Sequence, residues 1–120
     1  MAGVSKIMHK GKEIFFVDYK GTNSDDEMIA ILRKAQKIII AENKPYLQLT
    51  DISGAYSTKK FTDELKKVGA ETPKLAIKRA VVGITPMKKI ILMGYNMVLG
   101  RRDAVKPFDS LEAAKDYLVS

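Results

Sequence analysis

The sequence has 120 residues, of which 46% are hydrophobic and 29% are charged, as expected for one folded domain. It contains no cysteine and one histidine, which excludes disulfide scaffolds, thiol catalysis, iron–sulfur clusters and the common zinc sites. The formal net charge is +7, and the whole excess lies in residues 74–106, which carry eight basic residues and one acid. We therefore expect a single domain over residues 1–120 that holds neither a metal nor a cofactor.

Hydropathy and charge also limit which cellular compartment and which classes of partner are expected. No apolar run approaches the ~20 residues that cross a bilayer, and residues 1–13 lack the apolar stretch of a secretory signal. A cytoplasmic protein without a transmembrane segment is therefore predicted. The basic segment, residues 74–106, carries few aromatic residues and no helix-turn-helix pattern, so nucleic acid is not favoured as a partner.

The first part of the chain predicts a hairpin followed by a helix. Two extended runs, Lys6–His9 and Glu13–Asp18, flank a short glycine-centred turn. The apolar run Ile14–Val17 is typical of a strand that is covered on both faces. Ser24–Glu27 matches a capping box, which begins a helix that stops at Asn43–Pro45.

The middle of the chain predicts a strand, a polar loop and a second helix. Tyr46–Thr50 alternates between apolar and polar residues before the loop Asp51–Gly54. Either Ser57 or Thr58 caps the helix that follows, and Gly69 with Pro73 marks its end.

The last part of the chain predicts two further strands and two further helices. Lys78–Gly83 is a short strand rich in β-branched residues. Thr85 is a cap followed by proline at the first helical position, which opens a third helix to about Leu99. Val105–Phe108 adds a strand, and Asp109–Glu112 is a second capping-box pattern, which begins a terminal helix.

This order of elements predicts the fold class. Strands that alternate with helices indicate an α/β fold with a mainly parallel sheet. We expect four to five strands, an antiparallel N-terminal edge strand and about four helices. The loops after the carboxyl ends of the strands form the functional rim of such a sheet, and here they are Asp18–Thr22, Asp51–Ser57 and Gly83–Met87.

Catalysis is not favoured by the residues on this rim. Asp18 and Asp51 both fall there, and paired carboxylates can transfer protons or hold Mg²⁺. Acidic residues at strand ends more often bond neighbouring N–H groups, and neither a nucleophile with its base nor a glycine-rich phosphate loop is present. We therefore predict that the protein is not an enzyme.

The predicted helix over Thr85–Leu99 has more apolar residues than one inward face requires. Three interpretations stay open: the rest of the chain covers the excess, a second copy or a partner protein covers it, or it meets a lipid or membrane surface. The candidate interface consists of the surplus apolar residues and the flanking cations. These are Lys88, Lys89, Leu92, Met93, Tyr95, Leu99, Arg101 and Arg102.

Ser53 admits two interpretations. A phosphate on this side chain would lie near the N-terminus of the second predicted helix, where backbone N–H groups are free to bind it. A serine before Gly54 is equally typical of an ordinary tight turn.

Three segments resemble the STAS and SpoIIAA-like family, whose members include anti-sigma-factor antagonists. They are Leu47–Ser57, Lys78–Gly94 and Lys106–Leu118, and the last two look most like stand-alone bacterial STAS-like proteins. The antagonists carry Asp-Ser-Ser-Gly-Leu, in which a kinase phosphorylates the serine before glycine. This chain has Asp-Ile-Ser-Gly-Ala over Asp51–Ala55, so the phosphorylation motif is incomplete. The resemblance implies that Ser53 occupies the phosphorylated position.

The resemblance also implies a domain that works by binding and has no chemistry of its own. We expect a regulatory or binding module that associates with proteins, including a second copy of itself. The expected contacts are the candidate interface above and a loop site made of Asp51, Ser53, Gly54, Ser57 and Thr58. The alternative is a protein that binds a lipid, another hydrophobic ligand beneath the 85–99 helix, or a membrane surface.

Overall fold

A computed structural model describes residues 3–55, 58–85 and 104–120 of the chain. Five strands and three helices lie in these residues. In chain order they are β1 (Gly3–His9), β2 (Lys12–Asp18), α1 (Asp25–Glu42), β3 (Tyr46–Asp51), α2 (Lys59–Glu71), β4 (Ala76–Val82), β5 (Lys106–Phe108) and α3 (Leu111–Val119).

The five strands form one sheet in the order β1-β2-β3-β4-β5. The β1–β2 pair is antiparallel, and the other three pairs are parallel. The apolar run in β2 is enclosed on both sides, since Ile14, Phe15 and Val17 are each at most 5% exposed. The predicted α/β class with an antiparallel edge strand is therefore confirmed.

Helix starts follow the capping residues that the sequence indicates. The Ser24 hydroxyl oxygen accepts the backbone N–H of Glu27 at 3.2 Å, and three acidic residues in the first turn of α1 suit the helix dipole. Asn43 ends α1 in the left-handed conformation, with a φ of +46°. At α3 the cap is Ser110, one residue after the first residue of the predicted capping box Asp109–Glu112, and its hydroxyl oxygen accepts the N–H of Ala113 at 3.1 Å.

Several element boundaries differ from the predicted ones. The β1 strand begins at Gly3 instead of Lys6, because its pairing with β2 continues until Gly3 lies opposite Asp18, the last residue of β2. The β4 strand begins at Ala76, two residues before the predicted start. Helix α2 runs past Gly69 to Glu71, and Thr72 is extended, as a residue before proline usually is. Of the two predicted end signals, Pro73 therefore lies at the observed end and Gly69 lies inside the helix.

Three helices lie in the described residues, whereas about four were predicted. The terminal predicted helix is α3, and the predicted helix over 85–99 falls on residues 86–99, which lie outside the described ranges. Within those ranges, no helix has the combination of length and hydrophobicity that crossing a membrane requires.

The helices divide between the two faces of the sheet. Helices α1 and α2 pack on one face, where their side chains meet Phe15 and Val17 of β2 and Tyr19, which follows β2. Helix α3 covers the opposite face, where Leu118 packs with Leu49 of β3. Because neighbouring residues in a strand point to opposite faces, each interior strand contributes to both layers.

Candidate functional site

Two rim carboxylates lie next to each other at the carboxyl ends of β2 and β3, as the sequence predicts. Asp18 and Asp51 are partners in the parallel register of these strands. Asp18 Oδ1 accepts the N–H of Lys20 at 2.9 Å, and Asp51 Oδ1 accepts the N–H of Ser53 at 2.9 Å. Asp51 is only 4% exposed. Each carboxylate therefore holds the turn that follows its own strand.

The loop after β3 is also fixed by backbone hydrogen bonds. The Ile52 N–H donates to the Val82 carbonyl of β4 at 2.9 Å, and the Ala55 N–H donates back to the Ile52 carbonyl at 3.0 Å. The Tyr19 N–H donates to the Asp51 carbonyl at 2.8 Å, which joins the loop after β2 to the end of β3. The predicted loop site is thus built across three neighbouring strands.

Gly83, the residue after β4, lets the Ser53 backbone come close. A Cβ atom at position 83 would lie 2.4 Å from Ser53 N and 2.6 Å from Ser53 Oγ, far inside normal contact distances. Gly83 also has a φ of +93°, which side-chain-bearing residues rarely adopt. Glycine at this position therefore allows Ser53 to lie against the end of β4.

Thr58 completes the described part of the loop site. Its hydroxyl oxygen accepts the N–H of Phe61 at 3.4 Å and so caps α2, while its O–H donates to Asp25 Oδ1 at the start of α1. Lys60 Nζ lies 3.3 Å from Asp26 Oδ1, which adds a second link between the two helix starts. The N-termini of α1 and α2 are therefore held together on the rim side of the sheet.

Gly54 of the loop site is exposed in the turn after Ser53, and the remaining predicted site residues lie outside the described residues. Of the two predicted caps of α2, Thr58 fills the role, and Ser57 is not described. The whole candidate interface also lies outside: Lys88, Lys89, Leu92, Met93, Tyr95, Leu99, Arg101 and Arg102. The partner, lipid and membrane interpretations of that segment stay predictions.

Two polar side chains on the sheet face that α1 and α2 cover were not predicted. Gln48 of β3 and Arg79 of β4 are register partners, and both side chains point toward α1 and α2. Arg79 donates to Gln48 Oε1 at 3.5 Å, and Gln48 Nε2 donates to Thr50 Oγ1 at 3.2 Å. The alternation of apolar and polar residues in β3 showed that Gln48 lies on the face opposite Leu49. A polar residue in an alternating strand is ordinarily assigned to the solvent-exposed face, so its burial beneath helices was missed.

A cavity of about 140 Å³ lies above this polar group. Among the described residues, α1 and α2 form its walls, and β2, β3 and β4 form its floor. Residues outside these elements also line it, among them Tyr19, Ile52, Ile84 and Val105. The wall residues are mostly apolar and include Leu32, Phe61, Leu65 and Val68. Arg79 is the one charged side chain among the described residues that line it. The cavity is therefore an apolar space with hydrogen-bonding groups at one side.

One group of metal-type donors occurs among the described residues. A ring nitrogen of His9 and carboxylate oxygens of Glu112 and Asp116 lie within 4.8 Å of one another. Asp116 Oδ1 is 2.7 Å from His9 Nε2 and 3.1 Å from Lys10 Nζ, and Lys115 Nζ is 3.4 Å from Glu112. The neighbouring cations already balance both carboxylates. The His9 side chain is 15% exposed and joins the hairpin to α3.

Acid should weaken this link between the hairpin and α3. Hydrogen bonds from His9 and Lys10 hold the pKa of the Asp116 carboxyl below its ordinary value of 3.8. A lowered pKa in the folded state contributes stability above the unfolded pKa, and the contribution disappears as pH falls through the folded pKa. At pH 7 we expect Asp116→Asn to lower the thermal midpoint by about 2 °C, since the pair is exposed.

Thermal unfolding of both proteins across a pH series checks this expectation. The difference between them should shrink below pH 3.8. Asp63→Asn is the matched control, because Asp63 pairs with Lys59 within α2 and joins no separate elements. A difference that persists in strong acid would show that the Asp116 charge is not its cause.

Comparison with known proteins supports the architecture. No family model matches the sequence, and no curated protein matches it significantly. Among solved structures, the chain is similar to an uncharacterized protein from the DUF3478 family with a SpoIIAA-like fold, from Shewanella loihica PV-4. The two share 14% sequence identity with a TM-score of 0.73, over 98% of this chain and 95% of that chain.

At this identity, the similarity establishes architecture and leaves function to be argued from the site. The likeness extends over nearly the whole chain and therefore includes the rim on which the loop after β3 lies. The protein accordingly has the SpoIIAA-like fold that its sequence resembles.

Proposed function

We propose that the protein is a non-enzymatic binding module that acts through protein–protein association, with a second copy of the chain as its partner. The observation that supports this proposal is the fixed loop after β3. Buried Asp51 and backbone bonds to β4 hold this loop in one conformation, while Gly54 at its tip is exposed. A surface that is already ordered loses little conformational entropy on binding.

The roles of the rim carboxylates support a function without catalysis. Asp18 and Asp51 each accept a backbone N–H within their own turn, so both already have a structural role. Asp51 is in addition only 4% exposed, which keeps its carboxylate from the substrate contact that a general base must make.

Ser53 is the residue through which we propose that association is regulated. Its hydroxyl lies against Gly83, at the contact between the loop and the end of β4. A phosphate there would add a charge of about −1.5 to −2 to that contact and to the surface that meets the partner. Two like-charged copies of this surface would repel each other, so phosphorylation is expected to favour the monomer.

Sedimentation velocity tests the proposal with the wild type, Ser53→Glu and a matched control. We expect a wild-type dimer at about 100 μM, a concentration at which a dimer with a micromolar dissociation constant is assembled. Ser53→Glu should sediment as a monomer. Ser5→Glu introduces the same charge at an exposed position of β1 and should stay dimeric. Circular dichroism of each variant verifies that it is folded.

A monomeric wild type at this concentration would reject association between copies. A dimer that Ser53→Glu and Ser5→Glu weaken equally would reject the loop as the contact. Mass spectrometry of protein recovered from its own cells tests the regulatory part separately. Phosphate found at other residues and never at Ser53 would contradict that part.

A further inference from the structure

We propose that His9, Glu112 and Asp116 form a binding site for a divalent transition-metal ion of the Zn²⁺ type. One ring nitrogen of His9 and one carboxylate oxygen from each acid lie within 4.8 Å of one another. The site lies where the hairpin turn meets α3, at the end of the sheet opposite the loop after β3. It is therefore independent of the association proposed above, and either proposal can fail without the other.

The hairpin fixes the position of the histidine. His9 is the last residue of β1 and pairs with Lys12 across the turn. Ile7, two residues earlier on the same face of the strand, packs on the core cluster that contains Leu118 of α3. Lys12 Nζ donates to the Val119 carbonyl in the last turn of α3 at 3.2 Å. Contacts from both strands of the hairpin thus hold the imidazole next to α3.

The two carboxylates come from one face of α3. Glu112 and Asp116 are four positions apart, a spacing that brings side chains together on a helix and that zinc-binding helices use for their ligands. Asp116 Oδ1 lies 2.7 Å from His9 Nε2. Four ligands about 2.1 Å from Zn²⁺ in a tetrahedron are about 3.4 Å apart. The three donors therefore need only small side-chain movements to surround one ion.

The donor types and their charge fit such an ion. Imidazole favours Zn²⁺ and similar transition metals, whereas Mg²⁺ prefers oxygen ligands. Two carboxylates and a neutral imidazole match the charge of a divalent cation.

The lysines beside the two carboxylates do not block the site. Lys10 pairs with Asp116, and the Lys10 side chain is 65% exposed. Lys115 pairs with Glu112, whose side chain is 73% exposed. Exposed ammonium–carboxylate pairs contribute little to stability, so a divalent ion can replace both ammonium groups at small cost.

The sequence carries no local sign of this site. His9 and Asp116 are 107 positions apart, and only the packing of α3 against the hairpin brings them together. One imidazole with two carboxylates also differs from the cysteine- and histidine-rich zinc sites that the composition excludes. The proposal therefore departs from the expectation of a protein without a metal, which was based on composition.

NMR titration of the untagged protein with zinc chloride tests the proposal. The chain has one histidine, so every imidazole signal belongs to His9. We expect Zn²⁺ to shift these signals with a dissociation constant below about 100 μM. Mg²⁺ at the same concentrations should leave them in place. Unchanged His9 signals at about 1 mM Zn²⁺, or an equal change with Mg²⁺, would overturn the proposal.

Variants distinguish coordination from general attraction of a cation to surface charge. Glu112→Gln and Asp116→Asn should each weaken Zn²⁺ binding at least about 10-fold, since even residues that only support a metal ligand contribute that much. Asp109→Asn is the matched control, because it removes the same charge just before α3 and outside the cluster. This control should leave the affinity unchanged. Isothermal titration calorimetry gives the affinity of each variant.

Two outcomes of the variant series would contradict the three-residue site. If Glu112→Gln and Asp116→Asn both kept the wild-type affinity, Zn²⁺ would bind His9 alone. If Asp109→Asn weakened binding as much as the other two changes, surface charge and not coordination would be the cause.

Discussion

Replacing Gly83 with alanine is expected to lower the free energy of unfolding by about 3 kcal/mol, through two effects that act together. An alanine with a φ of +93° is strained by contact between its Cβ and its own backbone. The same Cβ would lie 2.4 Å from the backbone nitrogen of Ser53, so the loop after β3 must move away from β4. Urea denaturation of the wild type and the variant measures the loss.

Gly54→Ala is the matched control for this prediction. Gly54 also has a positive φ, of +66°, but a Cβ at that position would meet no atom within 4 Å. The free energy of unfolding of Gly54→Ala should therefore fall by about 1 kcal/mol, from backbone strain alone. Equal losses for the two variants would show that the contact between Gly83 and Ser53 contributes nothing to stability.

Leu49→Ala is expected to have a similarly large effect, a loss of about 3 kcal/mol. Leu49 is completely buried at the centre of β3, where it packs with Ile14, Ala80 and Leu118 beneath α3. Truncation removes apolar contact and leaves a cavity that a sheet held on both sides cannot close. The midpoint and slope of a urea titration give the change in free energy.

Leu111→Ala makes the same truncation at a position that is 36% exposed at the start of α3. This variant should lower the free energy of unfolding by less than about 1 kcal/mol, as surface substitutions usually do. If both leucine variants lost the same amount, α3 would not cover the sheet in the way described.

Local patterns in the sequence were sufficient to predict most of the elements. Ser24 and Ser110 precede α1 and α3 with side chains that bond a backbone N–H three residues later. Such signals act within one turn of chain, so they are readable without knowledge of the fold. The apolar run in β2 likewise indicated a strand enclosed by the sheet, and alternating strands and helices indicated parallel pairing.

The features that shape the candidate sites depend on contacts between distant residues. Ser53 and Gly83 are 30 positions apart, and only the pairing of β3 with β4 brings them together. Gln48 and Arg79 lie side by side on the face covered by α1 and α2 because β3 pairs with β4, although their polarity suggested solvent exposure. Strand register arises from the sum of long-range contacts, and no single residue in either strand specifies it.

The position of Tyr19 gives the molecule an optical probe of its own. The chain has five tyrosines and no tryptophan, so its intrinsic fluorescence is tyrosine emission. Tyr19 is 3% exposed, lines the cavity and meets Phe61 edge to face. A change in the spacing between Tyr19 and α2 alters the surroundings of this ring, so this buried tyrosine contributes to any change in emission, and a variant that keeps Tyr19 as its one tyrosine would report that spacing without an added label.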